Sequence, residues 1–173
     1  MTDQDEYPQT PPRLKNIHTV SPVYFVTFCT HSRQRLLENE TVHDALIDFS
    51  RRGFGEKNIS VGRYVVMPDH IHLFVRGPYD FKLSVWVNQL KGHLTKTIRS
   101  CSRSPVANAS RPQGDCYRKN APVWQRGFFD HVLRSHESYS EKWQYVAQNP
   151  VRAGLVENAD EWSYAGCITE IRM

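Results

Sequence analysis

The stretch that most constrains this chain is Tyr64-Val65-Val66-Met67-Pro68-Asp69-His70-Ile71-His72-Leu73-Phe74-Val75-Arg76. Both halves are rich in β-branched and aromatic residues, and Pro68-Asp69 between them suits the centre of a type I turn, with proline at its first central position. The segment therefore predicts two strands joined as a tight hairpin. Side chains alternate between the faces of a strand, so His70 and His72 project one way and Ile71, Leu73 and Val75 the other. Two imidazoles on one face are half of a metal site. The same pair, taken by itself, serves equally as two hydrogen-bonded or solvated side chains.

The remaining elements can be placed around that hairpin. Residues 1–20 are polar and proline-punctuated, which predicts a loosely ordered tail before a single domain over 21–173. Val23 to Thr30 reads as a strand apolar enough on both faces to be central in a sheet. Asn39 or Thr41 can cap a helix running to about Arg52, with Val42, Ala45, Leu46 and Phe49 at helical spacing and Gly53 and Gly55 as the expected stop. A second helix is predicted from about Lys82 to Arg99, its apolar stripe formed by Leu83, Trp86, Val87, Leu90, Leu94 and Ile98. The Ser, Arg, Pro, Asn and Gly composition of 100–122 reads as a long mobile surface loop. Val123 to Arg134 looks like one or two extended segments. Ser138 and Glu141 have capping-box spacing for a last helix that Pro150 should end near Gln148 or Asn149. Tyr139, Trp143, Val146 and Ala147 form its apolar stripe, and Tyr145 falls on the polar face with Lys142 and Asn149.

Charge and cysteine usage narrow the function classes. The net charge of +4 over 173 residues is mild. Between Lys82 and Arg134, however, ten basic residues face two acids, an excess of +8. Such a run is either a solvated basic surface or the footprint of a phosphate backbone. Cys29, Cys101, Cys116 and Cys167 are widely spaced and form no Cys-x-x-Cys pair, so reduced thiols are expected rather than a disulfide framework or a zinc ribbon. No apolar run is long enough to span a bilayer and the acidic start does not resemble a signal peptide, which leads us to expect a cytoplasmic location without membrane association.

The run Met67-Pro68-Asp69-His70-Ile71-His72-Leu73 resembles the signature hairpin of the HUH endonucleases, in their single-tyrosine transposase branch. That family requires a tyrosine on a later helix. Together with Trp124-Gln125-Arg126-Gly127-Phe128-Phe129-Asp130-His131 and Tyr145-Val146-Ala147-Gln148-Asn149-Pro150-Val151-Arg152-Ala153-Gly154-Leu155-Val156, the hairpin resembles the REP-associated tyrosine transposases, relatives of the IS200-like enzymes. The likeness runs from about Val23 to Trp162. It implies an α+β, ferredoxin-like or RRM-like sandwich: a mainly antiparallel sheet with helices on one face and a C-terminal tyrosine-bearing helix over the histidine strand.

The resemblance also implies a site and a reaction. Tyr145 would be the nucleophile, His70 and His72 metal ligands, and Asn149 the third ligand, with Gln148 as fallback because Pro150 disturbs the last turn. Residues four apart on a helix face the same way, which fits a joint role for Tyr145 and Asn149. The expected cofactor is Mg²⁺ or Mn²⁺, and the expected substrate single-stranded DNA hairpins of the REP type with a flanking tetranucleotide. Cleavage would proceed through a 5′-phosphotyrosine link and a released 3′-hydroxyl. Lys91, Arg126, Arg134 and Arg152 are candidate DNA contacts, beside Trp124 and Phe128, which suit stacking or the core. A monomer is expected, with a dimer as the alternative. Two rivals stand beside this reading. One is a domesticated protein that binds hairpins without cutting them. The other is a zinc hydrolase recruiting His93, His131 or His136, although no His-Glu-x-x-His run is present.

Overall fold

The computed structural model describes residues 21–101 and 121–171. The tail over 1–20 and nearly all of the loop expected at 100–122 lie outside the described residues. Five strands, β1 (Val23–Cys29), β2 (Ser60–Met67), β3 (His70–Arg76), β4 (Phe129–Leu133) and β5 (Ala165–Cys167), form one antiparallel sheet in the order β4-β1-β3-β2-β5. The connections are helical: α1 (Glu40–Lys57) joins β1 to β2, and α2 (Leu83–Cys101) follows β3. Strand, helix, hairpin, helix, strand with β3 between β1 and β2 is the split β-α-β arrangement of ferredoxin-like folds. The expected α+β sandwich is therefore the one observed.

The alternation read from the hairpin sorts the core into two clusters. Val26, Phe28, Ile71, Leu73 and Val75 leave one face and pack under α1 and α2 with Val42, Leu46, Trp86, Val87, Leu90 and Leu94. From the other face, Phe25, Phe74, Val65 and Met67 meet Tyr139 and Val146 of α3 (His136–Ala147), and Trp162 beyond it. Trp162 donates its indole N–H to the Val66 carbonyl at 2.9 Å, closing this cluster over the sheet. The histidines thus share a face with α3, opposite α1 and α2.

Two helix boundaries differ from expectation. Helix α1 runs through Gly53 and Gly55 to Lys57 and stops at Asn58, which adopts the left-handed conformation at φ 52°. Glycine lowers helix propensity but does not itself stop a helix; the stop comes where the Asn58 and Ile59 N–H groups turn back onto the carbonyls of Phe54 and Gly53. Helix α3 starts at His136 rather than at Ser138, because the capping box is Ser135 with Ser138, not Ser138 with Glu141. Ser135 is extended and its hydroxyl accepts from the Ser138 N–H at 3.1 Å. At the other end α3 stops at Ala147, and Gln148 joins it to the short helix α4 (Asn149–Arg152), where Pro150 sits at a tolerated first-turn position. Strand β5 has too short a run to be read from the sequence.

Candidate active site

The histidine hairpin is gripped at its tip. The Asp69 carbonyl accepts from the Thr30 N–H at 2.8 Å and its hydroxyl at 3.0 Å, and the Pro68 carbonyl accepts from the Leu36 and Leu37 N–H groups at 2.9 and 3.0 Å. These bonds tie the Pro68-Asp69 turn to the end of β1 and to the segment that leads into α1. His70 and His72 leave β3 on one face with ring centroids 4.7 Å apart at 87°.

Each imidazole is held through Nδ1. His70 Nδ1 lies 2.6 Å from Asp69 Oδ1, and the other oxygen of that carboxylate is paired with Arg33 Nε at 3.0 Å. His72 Nδ1 lies 2.7 Å from the hydroxyl of Thr27, its cross-strand partner, and its ring stacks on Phe25 at 5.6 Å and 15°. With Nδ1 committed on both rings, Nε2 is the nitrogen presented to a ligand. Burial pushes both imidazoles toward the neutral form. For His72 the pKa is pushed down to about 3, with His70, Arg33, Arg152 and Lys142 adding to the effect of burial. For His70 burial also lowers the value, against the opposing pull of Asp69. Neutral imidazoles are what metal ligation requires.

Helix α3 covers the sheet face that carries these rings through Tyr139 and Val146, and its polar face stands away from that packing. Lys142 Nζ stands 5.5 Å over the Phe25 ring on which His72 stacks, and the charges of Lys142 and Arg152 are both felt at His72. Tyr145 is 63% exposed, as its place on that face requires. Arg152 organises the junction of α3 and α4: its guanidinium carbon lies 4.2 Å from the Tyr145 ring centroid, and Nη2 donates to the Tyr145 carbonyl at 2.6 Å and to Asn149 Oδ1. Tyr145 and Asn149 were expected on one helix, but α3 ends at Ala147 and Asn149 opens α4, so the two are linked through Arg152, with the Asn149 amide oxygen accepting from its guanidinium. Gln148, the fallback ligand, is exposed at the junction.

The other candidates separate. Lys91 is 7% exposed and is not a surface cation: its ammonium donates to the Gln125 and Gly127 carbonyls at 3.2 and 2.5 Å and lies 5.4 Å from the Phe28 ring centroid. It ties α2 to the segment before β4. Trp124 is spent on the same task, donating its indole N–H to the Lys91 carbonyl and the Thr95 hydroxyl at 3.0 Å each. Phe128 packs against the α1–α2 cluster. Arg126 is exposed in the turn closed by Lys91, and Arg134 lines a cleft of about 370 Å³ with His131, Val132, Ser135 and Ser138. His93 stands on α2, across the sheet from His70 and His72, against Phe49. Among the described residues no cluster of three or more His, Cys, Asp or Glu side chains could hold a metal, so the three-histidine zinc site is not assembled there. No described helix is long and apolar enough to cross a membrane.

Sequence reasoning gave Thr27 and Arg33 no role, read Asp69 only as a turn residue, and placed Lys142 on the face of Tyr145 without a function. Asp69 stood inside the hairpin motif and could have been noticed as the neighbour of His70. Thr27 carried no such signal, because a cross-strand partner is set by register.

The family described as IS200-like transposase matches residues 19–149 of this chain. A Haemophilus influenzae protein provisionally assigned as a REP-associated tyrosine transposase is 28% identical over 108 residues, covering 62% of this chain and 58% of its own length. The REP-associated tyrosine transposase of Escherichia coli K12 is 24% identical over 147 residues, covering 82% of this chain and 73% of its own length. The fold is also that of a REP-associated tyrosine transposase solved with a REP hairpin bound, at a TM-score of 0.64 and 18% identity over 92% of this chain and 94% of that one.

Proposed function

We propose, from the premise that this chain belongs to the IS200-like transposase family, that it cuts and rejoins single-stranded DNA at REP-type hairpin repeats. The observation that supports the reading is a pair of β3 histidines with fixed Nδ1 partners, pushed toward the neutral form by burial, on the sheet face that α3 covers, with an exposed tyrosine on that helix whose ring contacts Arg152, a charge felt at His72. The donor set suits a divalent cation. His70 and His72 would hold Mg²⁺ or Mn²⁺ with the amide oxygen of Asn149, once released by Arg152, or of Gln148. Bound there, the ion would polarise the scissile phosphate.

The chain's own residues account for the rest. The Tyr145 oxygen attacks phosphorus as its proton passes to water, the bond to the 3′-oxygen breaks, and that oxygen takes a proton from water, so the departing strand keeps a 3′-hydroxyl while its partner remains joined to Tyr145 through a 5′-phosphate. A 3′-hydroxyl attacking that phosphate restores the phenol and joins the strands with no other energy source. Arg152 contacts the Tyr145 ring and carbonyl, which fixes the direction in which the side chain leaves α3. Arg152 and Lys142 supply positive charge beside His72, where a phosphate would lie.

The test is incubation with a pool of single-stranded hairpin DNAs and Mn²⁺ or Mg²⁺, read on a denaturing gel for protein carrying DNA. A metal-dependent adduct that maps to Tyr145 and is lost in Tyr145→Phe is the expected result. An adduct persisting in Tyr145→Phe would refute the nucleophile. Hairpin binding with no adduct in either metal would establish a binding protein that does not cut.

A further inference from the structure

We propose that Phe129 is a stacking platform for a base of the single-stranded segment next to the cleaved phosphate, an inference that rests on the DNA-processing role proposed above. Phe129 is a large apolar side chain left 47% exposed on an edge strand. Its register places it opposite Thr27, which is opposite His72 on the other side, so Phe129, Thr27 and His72 stand side by side on one face of the sheet. The aromatic contacts continue across that face. Phe129 meets Phe25 edge-on at 6.5 Å, and Phe25 stacks on His72.

The surroundings fit an anion-bearing aromatic occupant. Lys142 hangs over Phe25, Arg33 and Arg152 are felt at His72, and Arg134, just past the end of β4, lines the cleft at that end of the strand. Asp130, the carboxylate nearest in sequence, is turned to the opposite face, where its charge is felt by Tyr24. An exposed π-face with cations nearby is how sequence-tolerant single-strand binders hold a nucleotide, the base on the aromatic and the phosphates on the cations.

The backbone leading to the platform is anchored. Gly127 takes φ +71° and its carbonyl, with that of Gln125, is held by the buried ammonium of Lys91. That turn sets the alternation of the chain entering β4: Phe128 goes into the α1–α2 cluster and Phe129 goes out beside the histidines. A backbone already anchored leaves less to be ordered when a base settles on the side chain it carries.

The probe is a DNA hairpin with a single-stranded flank of thymidines, in which one abasic residue is stepped along the flank. Affinity is measured in chelator on the full chain, and adduct formation with Mn²⁺ is run in parallel. Stacking of this kind is worth about 1–3 kcal/mol per base, which corresponds to roughly a 5- to 150-fold change in affinity. Wild type should show a loss of that size at one or two abasic positions. Phe129→Ala should bind the intact flank weaker by a similar factor and lose the positional dependence. Phe129→Leu, which keeps apolar contact with Phe25 and guards against misfolding, should behave like the alanine variant, and Phe129→Trp should restore the profile. Variants that bind within twofold of wild type, or that keep the positional loss, would overturn the platform. If wild type binds with the expected profile and yields no adduct, the cutting role fails and the platform stands. If the adduct forms and the profile is unaltered by substitution, the platform alone fails. A wild-type protein that does not bind the hairpin would end both.

Discussion

Replacing Lys91 with methionine separates two opposing terms at a buried cation. Methionine keeps most of the packed stem but removes the ammonium. The Gln125 and Gly127 carbonyls then lose their donor, at about 1–3 kcal/mol each if they stay dry. Against this, burial pushes the Lys91 pKa from 10.5 down to about 8, so holding the charged form inside costs about 3 kcal/mol at neutral pH. The terms nearly cancel, and at pH 7.5 the variant should melt within several degrees of wild type. The pH dependence discriminates. Because the folded state holds the Lys91 proton less tightly than the unfolded chain, wild-type stability should rise as pH climbs from about 8 toward 10.5. Between pH 7.5 and 9.5 the relief amounts to about 2 kcal/mol, or roughly 4–8 °C for a chain of this size. Thermal melts of both proteins at the two pH values read the difference directly; groups common to both, such as the nearby Cys29 thiol, largely drop out. A gap that stays constant, or that moves toward the variant as pH rises, would show that the Lys91 ammonium is solvated and does not anchor the segment before β4.

Thr27→Val removes the hydroxyl that holds His72 Nδ1 while preserving the shape of a β-branched strand residue. Mn²⁺ affinity measured by calorimetry should fall by about ten- to hundredfold, the usual effect of losing an orienting partner of a ligand; unchanged affinity would remove His72 from the ligand set. Trp162→Phe leaves the buried Val66 carbonyl without its donor and should lower stability by about 1–3 kcal/mol, seen as a melting temperature several degrees lower. A melt identical to wild type would mean that water replaces the indole and that the second core cluster is open there.

The sequence by itself determined whatever depends on local periodicity and on chemically distinctive runs. The hairpin around Pro68-Asp69 was legible because proline sets the turn and a period of two sorts its side chains; both core clusters follow from that sorting. The amphipathic stripe of α2 and the polar placement of Tyr145 were legible for the same reason at a period of 3.6. Boundaries were less so, since a glycine and a left-handed Asn58 both announce a stop and only the capping bonds choose between them. What the tertiary structure alone decided is contact between segments distant in the chain. Register put Thr27 beside His72 and Phe129 beside Thr27, and folding turned Lys91 from an apparent surface cation into an internal anchor. It also brought Arg152 onto Tyr145 and Asn149 through the bend at Gln148. A residue's own neighbours in sequence set its secondary structure and its face. Its charge environment and hydrogen-bond partners come from strands and helices packed across many residues of separation, and no single stretch of the chain carries that information.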